Sequence, residues 1–234
     1  MKNYDLLLPN GNEAELAKAA AELGIIPIFL YPFRDARELQ KKRESLRAVG
    51  IPHYVGAYVK PRHGGDIKRA AKLWLSADFL AVIDPGELVR AAVSNPRFDA
   101  VLRVPSPIGK DAMEYRRSNF NSILANLAKR NGVAYGIDFS YYLQTNGYKR
   151  AKIFGREMQN MLLCRRKIPI IMASLASEPY EMRLPENLSC FGKVLGLNTS
   201  QAKAAVSSIY KEILEIKHKR KTGKLIRLGV ELVE

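Results

Sequence analysis

The sequence predicts an α/β fold, an irregular TIM-type barrel of parallel strands with outer helices, and three observations carry that prediction. Seven short apolar runs, rich in β-branched and aromatic residues, recur along 234 residues with their starts 21 to 36 residues apart. Each run is nearly continuous in apolar character, as a strand covered on both faces must be. Each is followed by a segment with room and pattern for a helix, so the chain reads as about seven strand–helix units. An open doubly wound sheet satisfies the same alternation. A nucleotide-binding version of it is weak, because Leu8-Pro9-Asn10-Gly11 follows the first run where Gly-x-Gly-x-x-Gly would stand, and no Walker sequence occurs. A compact barrel suits the unit length, and nothing in the composition marks a linker that would split it.

The first strand is expected at Tyr4–Leu8. Leu16, Ala19, Ala20 and Leu23 fall at helical spacing behind it, with Asn12 and Glu15 placed as a capping box and Gly24 as a stop. Strands two to five are expected at Ile26–Leu30, His53–Val59, Asp78–Ile83 and Asp99–Val104, and Asp84-Pro85-Gly86 reads as a turn into a helix. Phe120, Ile123, Leu124 and Leu127 mark a helix that ends before Gly132, and the sixth strand covers Val133–Phe139. Phe154, Met158, Met161 and Leu162 form the apolar face of the next helix, with Lys149, Lys152 and Arg156 at i, i+3 and i+7 as a basic stripe beside it. Pro169–Ala173 is the seventh strand, and Leu188, Phe191 and Leu195 precede Gly196 as a further helix. A last helix is expected over about 200–217, burying Val206, Ile209, Ile213 and Ile216. The barrel domain is therefore expected to span 1–217. Residues 218–234 then form a basic tail in which Leu225–Val233 can return as a short edge strand or dock on a partner.

With 47% hydrophobic and 26% charged residues, the chain is neither a disordered arm nor a low-complexity one. No apolar run reaches the 18 or so residues that cross a bilayer, and Met-Lys-Asn-Tyr-Asp does not open a signal peptide, so a soluble, unsecreted protein is expected. Two cysteines, Cys164 and Cys190, are too few and too separate for a disulfide framework or a zinc ribbon, which suits a reducing cytoplasm. The charge is more informative. There are 38 Lys plus Arg against 23 Asp plus Glu, a net +15, and residues 100–172 hold thirteen of the bases with four acids, a net +9. A lysine-coated surface gives the same total but not the clustering, whereas a polyanion binds such a cluster through counterion release.

Catalytic groups in a barrel belong on the loops after the strands, and those loops hold few. His53, His63 and His218 form no His-x-His or Cys/His cluster. His63, beside Arg62 after the third strand, is either a phosphate contact or a plain loop residue. Asp84 and Asp138 are candidate acid/base groups or metal ligands. A carboxylate inside a buried strand needs a partner, however, and pairing of Asp138 with Arg103 is the preferred reading. Cys164 reads as packing. What the loops do supply is charge mixed with amides and aromatics: Arg103 opens into a segment with Lys110, Arg116 and Arg117, and the sixth strand opens into Tyr141 to Arg150. Such loops suit structured RNA.

The stretch from Asp99 to about Lys219 resembles a known family. The likeness is carried by Gly132-Val133-Ala134-Tyr135-Gly136-Ile137-Asp138-Phe139-Ser140 running into Tyr148-Lys149-Arg150-Ala151. It continues in Ile170-Ile171-Met172-Ala173-Ser174-Leu175-Ala176, Arg183-Leu184-Pro185 and Val194-Leu195-Gly196-Leu197. The stretch is similar to the protein component 3 family of ribonuclease P, the thirty-kilodalton subunits found in archaea and eukaryotes. Two departures are Gly136, where the family pattern has a carboxylate, and Ala173-Ser174-Leu175-Ala176 in place of a more serine-rich turn.

The resemblance implies a TIM-like barrel without a catalytic site or cofactor of its own. Its work would be to bind the ribonuclease P RNA, which uses Mg2+ to remove the 5′ leader from precursor tRNA. It implies protein component 2 as a partner in a heterotetramer, further ribonuclease P proteins beside it, precursor tRNA as an indirect contact, and no membrane. On this reading Arg62, His63, Arg103, Lys110, Arg116, Arg117, Lys149, Arg150, Lys152 and Arg156 face phosphates, and an apolar barrel face docks component 2. The rival is a metal-dependent TIM-barrel phosphoesterase using Asp84, Asp138 or His63. The barrel is similar to phosphoesterases of the polymerase and histidinol phosphatase type, but their His-x-His after the first strand is absent.

Overall fold

Seven strands pair side by side in sequence order and all in parallel: β1 (Asn3–Leu7), β2 (Ile25–Tyr31), β3 (Tyr54–Val59), β4 (Leu80–Ile83), β5 (Ala100–Leu102), β6 (Ala134–Asp138) and β7 (Ile170–Ala173). They come from a computed structural model, which describes residues 2–32, 35–106, 108–111, 113, 116–223, 225–227 and 230–231. All seven expected strands form. β7 returns to β1 through a parallel bridge between Leu7 and Ala176, where the Leu8 N–H donates to the Ala176 carbonyl at 2.9 Å. At the other end of the seam, the Tyr4 N–H donates to the Val206 carbonyl and the Met172 N–H to that of Ala205. The backbone at 205–206 thus takes the place of an eighth strand, and the sheet is a nearly closed barrel.

The inward faces of the strands are Tyr4, Leu6, Ile28, Leu30, Ala81, Ile83, Ala100, Leu102, Ala134, Ile171 and Ala173, joined by Phe79 just before β4, all buried. Large residues such as Tyr4, Leu6, Ile28 and Leu30 of β1 and β2 share this interior with Ala81, Ala100 and Ala134 of β4 to β6. Gly136 belongs to the small set: a Cβ there would lie 2.5 Å from Leu102 Cγ, so a carboxylate has no room where this sequence departs from the family pattern. The outward faces pack beneath the helices.

The helices are α1 (Glu13–Glu22), α2 (Ala36–Leu46), α3 (Gly64–Ala70), α4 (Val89–Val93), α5 (Ser122–Asn131), α6 (Phe139–Leu143), α7 (Gly147–Cys164), α8 (Pro185–Val194), α9 (Thr199–Ala204) and α10 (Ser208–Lys221). Five expectations need correction. Asn12 precedes α1 without capping it; its Nδ2 donates to the Ser177 carbonyl at 2.9 Å and to Glu178 across the seam. Ile123, Met158 and Leu162 are exposed. The inner face of α5 is Ala125 and Ala128, while α7 buries Ile153, Gly155, Arg156, Glu157, Asn160 and Met161. A polar side chain is buried at little cost when its partners are buried with it, and apolar periodicity does not register this.

The last helix is broken into α9 and α10 by the seam residues. It also continues past 217: Lys217 Nζ is buried on Asp99 at 2.7 Å, and Lys221 Nζ meets Asp78 at 2.6 Å. The first turn of the expected tail is therefore barrel structure. Tyr210 and Leu214 of α10 join the barrel interior, with Tyr210 Oη donating to the Met172 carbonyl at 2.8 Å. Beyond it, β8 (Leu225–Arg227) and β9 (Val230–Glu231) pair with each other in an antiparallel sheet of their own, so among the described residues of the expected Leu225–Val233 strand none joins the barrel; 228, 229, 232 and 233 lie outside the described residues.

Candidate nucleic-acid interface

Parallel topology brings every strand-to-helix loop to one end of the barrel, and this rim carries most of the predicted site residues. Backbone strain collects there too. Asp84, Arg103 and Leu175, which follow β4, β5 and β7, adopt φ of +54°, +55° and +46°, a left-handed region costly for side chains other than glycine. At Arg103 the turn aims the guanidinium across the rim. Its Nε donates to Asp138 Oδ2 at 2.6 Å, its Nη2 stands 2.5 Å from the same oxygen, and its plane lies 4.8 Å from the centre of the Tyr141 ring.

Asp138 is buried and also accepts from Ser140 Oγ and the Tyr141 N–H. Burial raises its carboxyl above the usual range, against the pull of Arg103. The expected Arg103–Asp138 pair is thus formed, and it uses groups that would otherwise serve phosphate or metal. Asp84 is exposed at the same rim. Among the described residues no three His, Cys, Asp or Glu side chains gather as a metal site.

The charges toward solvent lie on the loop after β5 and on neighbouring helices. Arg116 and Arg117 are exposed and, with Arg90 of α4, line a cleft of about 510 Å³ whose other walls include Ser118, Asn119, Asn121 and Gln159. The Arg116 side chain lies over Gly155 of α7, where a Cβ would collide with its guanidinium. Gln159 accepts from the Arg116 N–H at 3.1 Å and donates to its carbonyl at 3.0 Å, pinning the segment to α7. Arg90 was not singled out by the sequence, since it belongs to a short helix outside the basic stretch; only the fold sets it beside Arg116 and Arg117.

Lys110 is exposed on the same loop, and Lys149 and Arg150 are exposed in the first turn of α7, with Arg150 Nε donating to the Thr145 carbonyl. The predicted stripe on α7 does not run along the surface. Lys149 is outside, Lys152 is half-buried with its Nζ on the Gly109 carbonyl, and Arg156 is fully buried against the loop. Arg156 is accordingly corrected from a surface contact to an internal one. Arg62 and His63 are exposed at the start of α3, where both backbone N–H groups donate to Asp66, and His63 Nδ1 lies 3.5 Å from that carboxylate. Arg62, but not His63, borders a separate cleft with Tyr58, Lys60 and Arg69, which shares no residue with the first.

An apolar surface adjoins the charged one. Phe139, Tyr142, Phe154 and Phe191 pack edge to face or tilted, with ring centres 4.9 to 6.3 Å apart, and with Leu143, Gly147, Arg150 and Ala151 they line a cavity of about 540 Å³. Phe154, Met158 and Leu162, at i, i+4 and i+8, continue this surface along α7. Met158 is 39% exposed and Leu162 62%.

Comparison with known proteins returns one consistent family. A family model described as RNase P subunit p30 matches residues 3–222. The ribonuclease P protein component 3 of Methanosarcina mazei is 30% identical over 97% of this chain and 92% of its own, and that of Methanocaldococcus jannaschii is 26% identical over 84% of each. A chain in a cryo-EM structure of archaeal ribonuclease P with mature tRNA superposes with a TM-score of 0.77 at 20% identity, covering 99% of this chain and 98% of that one. The crystal structure of an amidohydrolase shares the fold at a TM-score of 0.51 and 12% identity, covering 93% of this chain and 75% of that one.

Proposed function

The chain belongs to the ribonuclease P subunit p30 family and is a protein subunit of that ribonucleoprotein, and from that premise we propose that it binds the particle's RNA through the charged barrel rim. The observation that carries this reading is the cleft in which Arg90, Arg116 and Arg117 converge beside the amides of Asn119, Asn121 and Gln159. Lys110, Lys149 and Arg150 extend it around the loop and the start of α7. Guanidinium forks suit phosphate oxygens, and the amides suit exposed base edges or 2′-hydroxyls. The chain leaves the cleavage chemistry, and the Mg2+ it uses, to the RNA. In support, the buried rim carboxylate Asp138 is already bonded to Arg103, Ser140 and Tyr141.

The apolar α7 surface supports a second contact, with another protein of the particle; component 2 is the partner the family suggests. Among the described residues Arg150 is the sole charged one lining the aromatic cavity, and Arg183 lies 5.6 Å over the Phe139 ring. Apolar side chains flanked by carboxylates fit that combination.

Titrating the purified chain with ribonuclease P RNA across a salt series tests the RNA reading. Six neutralised phosphates give a slope of about −5 in log affinity against log salt, and each change of Arg90, Arg116 or Arg117 to Ala flattens it by about one. Affinity indifferent to salt refutes the proposal. Leu162→Glu with Met158→Glu, on the apolar surface, is expected to weaken capture of the partner protein and leave that slope unaltered.

A further inference from the structure

We infer that Arg156 and Asp111 form an internal clamp that holds the loop after β5 in its RNA-binding shape. Arg156 is then a positioning residue that acts on RNA only through the loop. The inference rests on the RNA reading above.

The donor inventory of Arg156 is the main support. A guanidinium carries five N–H donors, and here five bonds match them. Nε donates to Asp111 Oδ1 at 2.9 Å, Nη2 donates to the same oxygen at 2.6 Å and to the Gly109 carbonyl at 3.0 Å, and Nη1 donates to the carbonyls of Ile108, at 2.8 Å, and Ser106. No donor is left for a phosphate, and the side chain is 0% exposed. Lys152 Nζ adds a bond to the Gly109 carbonyl, and Asp111 Oδ1 also accepts the Arg117 N–H at 2.9 Å. One carboxylate therefore joins α7, the loop bearing Lys110 and the backbone of the cleft residue Arg117.

The loop has few apolar means of holding itself. Ile108 is 80% exposed, and Lys110 and Asp111 are exposed as well. Without the clamp, Ser106 and residues 108–111 would lose conformational freedom only on meeting RNA, and that ordering would be charged against affinity. With it, Lys110 and Arg117 are arranged beforehand.

Asp111→Asn separates this idea from simple electrostatics. The change removes a negative charge from a basic surface, so charge alone predicts tighter RNA binding. The clamp predicts binding weaker by about five- to tenfold, because charge-assisted bonds to the loop are replaced by weaker neutral ones. The salt slope stays that of the parent, since no phosphate contact is removed, whereas Lys110→Ala flattens it by about one. Hydrogen exchange at the amides of Ser106 and residues 108–111 of the free protein is expected to accelerate in Asp111→Asn and in Arg156→Lys, which keeps the charge but loses the fork. Unchanged or tighter RNA binding by Asp111→Asn, or unchanged exchange in both variants, overturns the clamp. Parent affinity that ignores salt overturns the RNA reading instead, and the exchange rates then decide whether the clamp exists.

Discussion

Arg103 and Asp138 form a nearly enclosed pair, the side chains 13% and 1% exposed, and its worth lies in what breaking it would leave behind. Such pairs contribute little net stability, but removing one partner strands the other without compensation. Arg103→Met is expected to lower unfolding stability by about 3 kcal/mol, read as a lower urea midpoint at constant m-value. Among the described residues, two other buried carboxyls, Glu157 and Asp5, have no basic partner. Burial pushes Glu157 and Asp5 to about 7, although the hydroxyls of Tyr135 and Tyr142 on one and Ser174 on the other pull them down. Both keep protons in the folded chain that the unfolded chain releases at its ordinary, lower pKa. Their contribution to stability is therefore full below the unfolded value and is lost as pH rises through about 7. Relative to the parent, Glu157→Gln is expected to gain in melting temperature from about pH 5 to about pH 8, as calorimetry at both values can establish. Sequence reasoning found the Arg103–Asp138 pair because an ionisable residue in an apolar run demands a partner. It missed Glu157 because that residue lies among ordinary helical polars, and only packing shows that it faces inward.

At the scale of elements, α7 and α10 depart most from their apolar periodicity. α7 turns Arg156, Glu157 and Asn160 inward, where each has bonding partners, and leaves Met158 and Leu162 outside. Its apolar stripe thus lies on the monomer's surface rather than in its core. α10 extends beyond the expected domain boundary because its last turns carry Lys217 and Lys221, bonded to Asp99 and Asp78 at the entries to β5 and β4. Asp99 also accepts the Leu80 N–H, and Asp78 the Val55 N–H. Truncation after Lys217 is therefore expected to lower the melting temperature relative to truncation after Gly223, and Lys217→Met to cost about 3 kcal/mol or more by stranding Asp99. A truncated chain that melts with the longer one would show that the turn after Lys217 contributes nothing.

Across the whole molecule, the +15 total divides by place rather than by sequence. Some charges in the basic stretch are internal: Arg103 is bound to Asp138 and Arg156 to the loop. Others gather with Arg90, from outside that stretch, in one cleft. The sequence by itself determined the seven strands, their parallel order and the basic character of the rim, because strand burial and net charge are sums over local residue types. Tertiary structure alone decided which bases reach solvent, since that depends on whether an acceptor from a distant segment meets each guanidinium. It also decided where the barrel ends, because the lysines of α10 find Asp78 and Asp99 only once the strands have brought those carboxylates to the barrel floor.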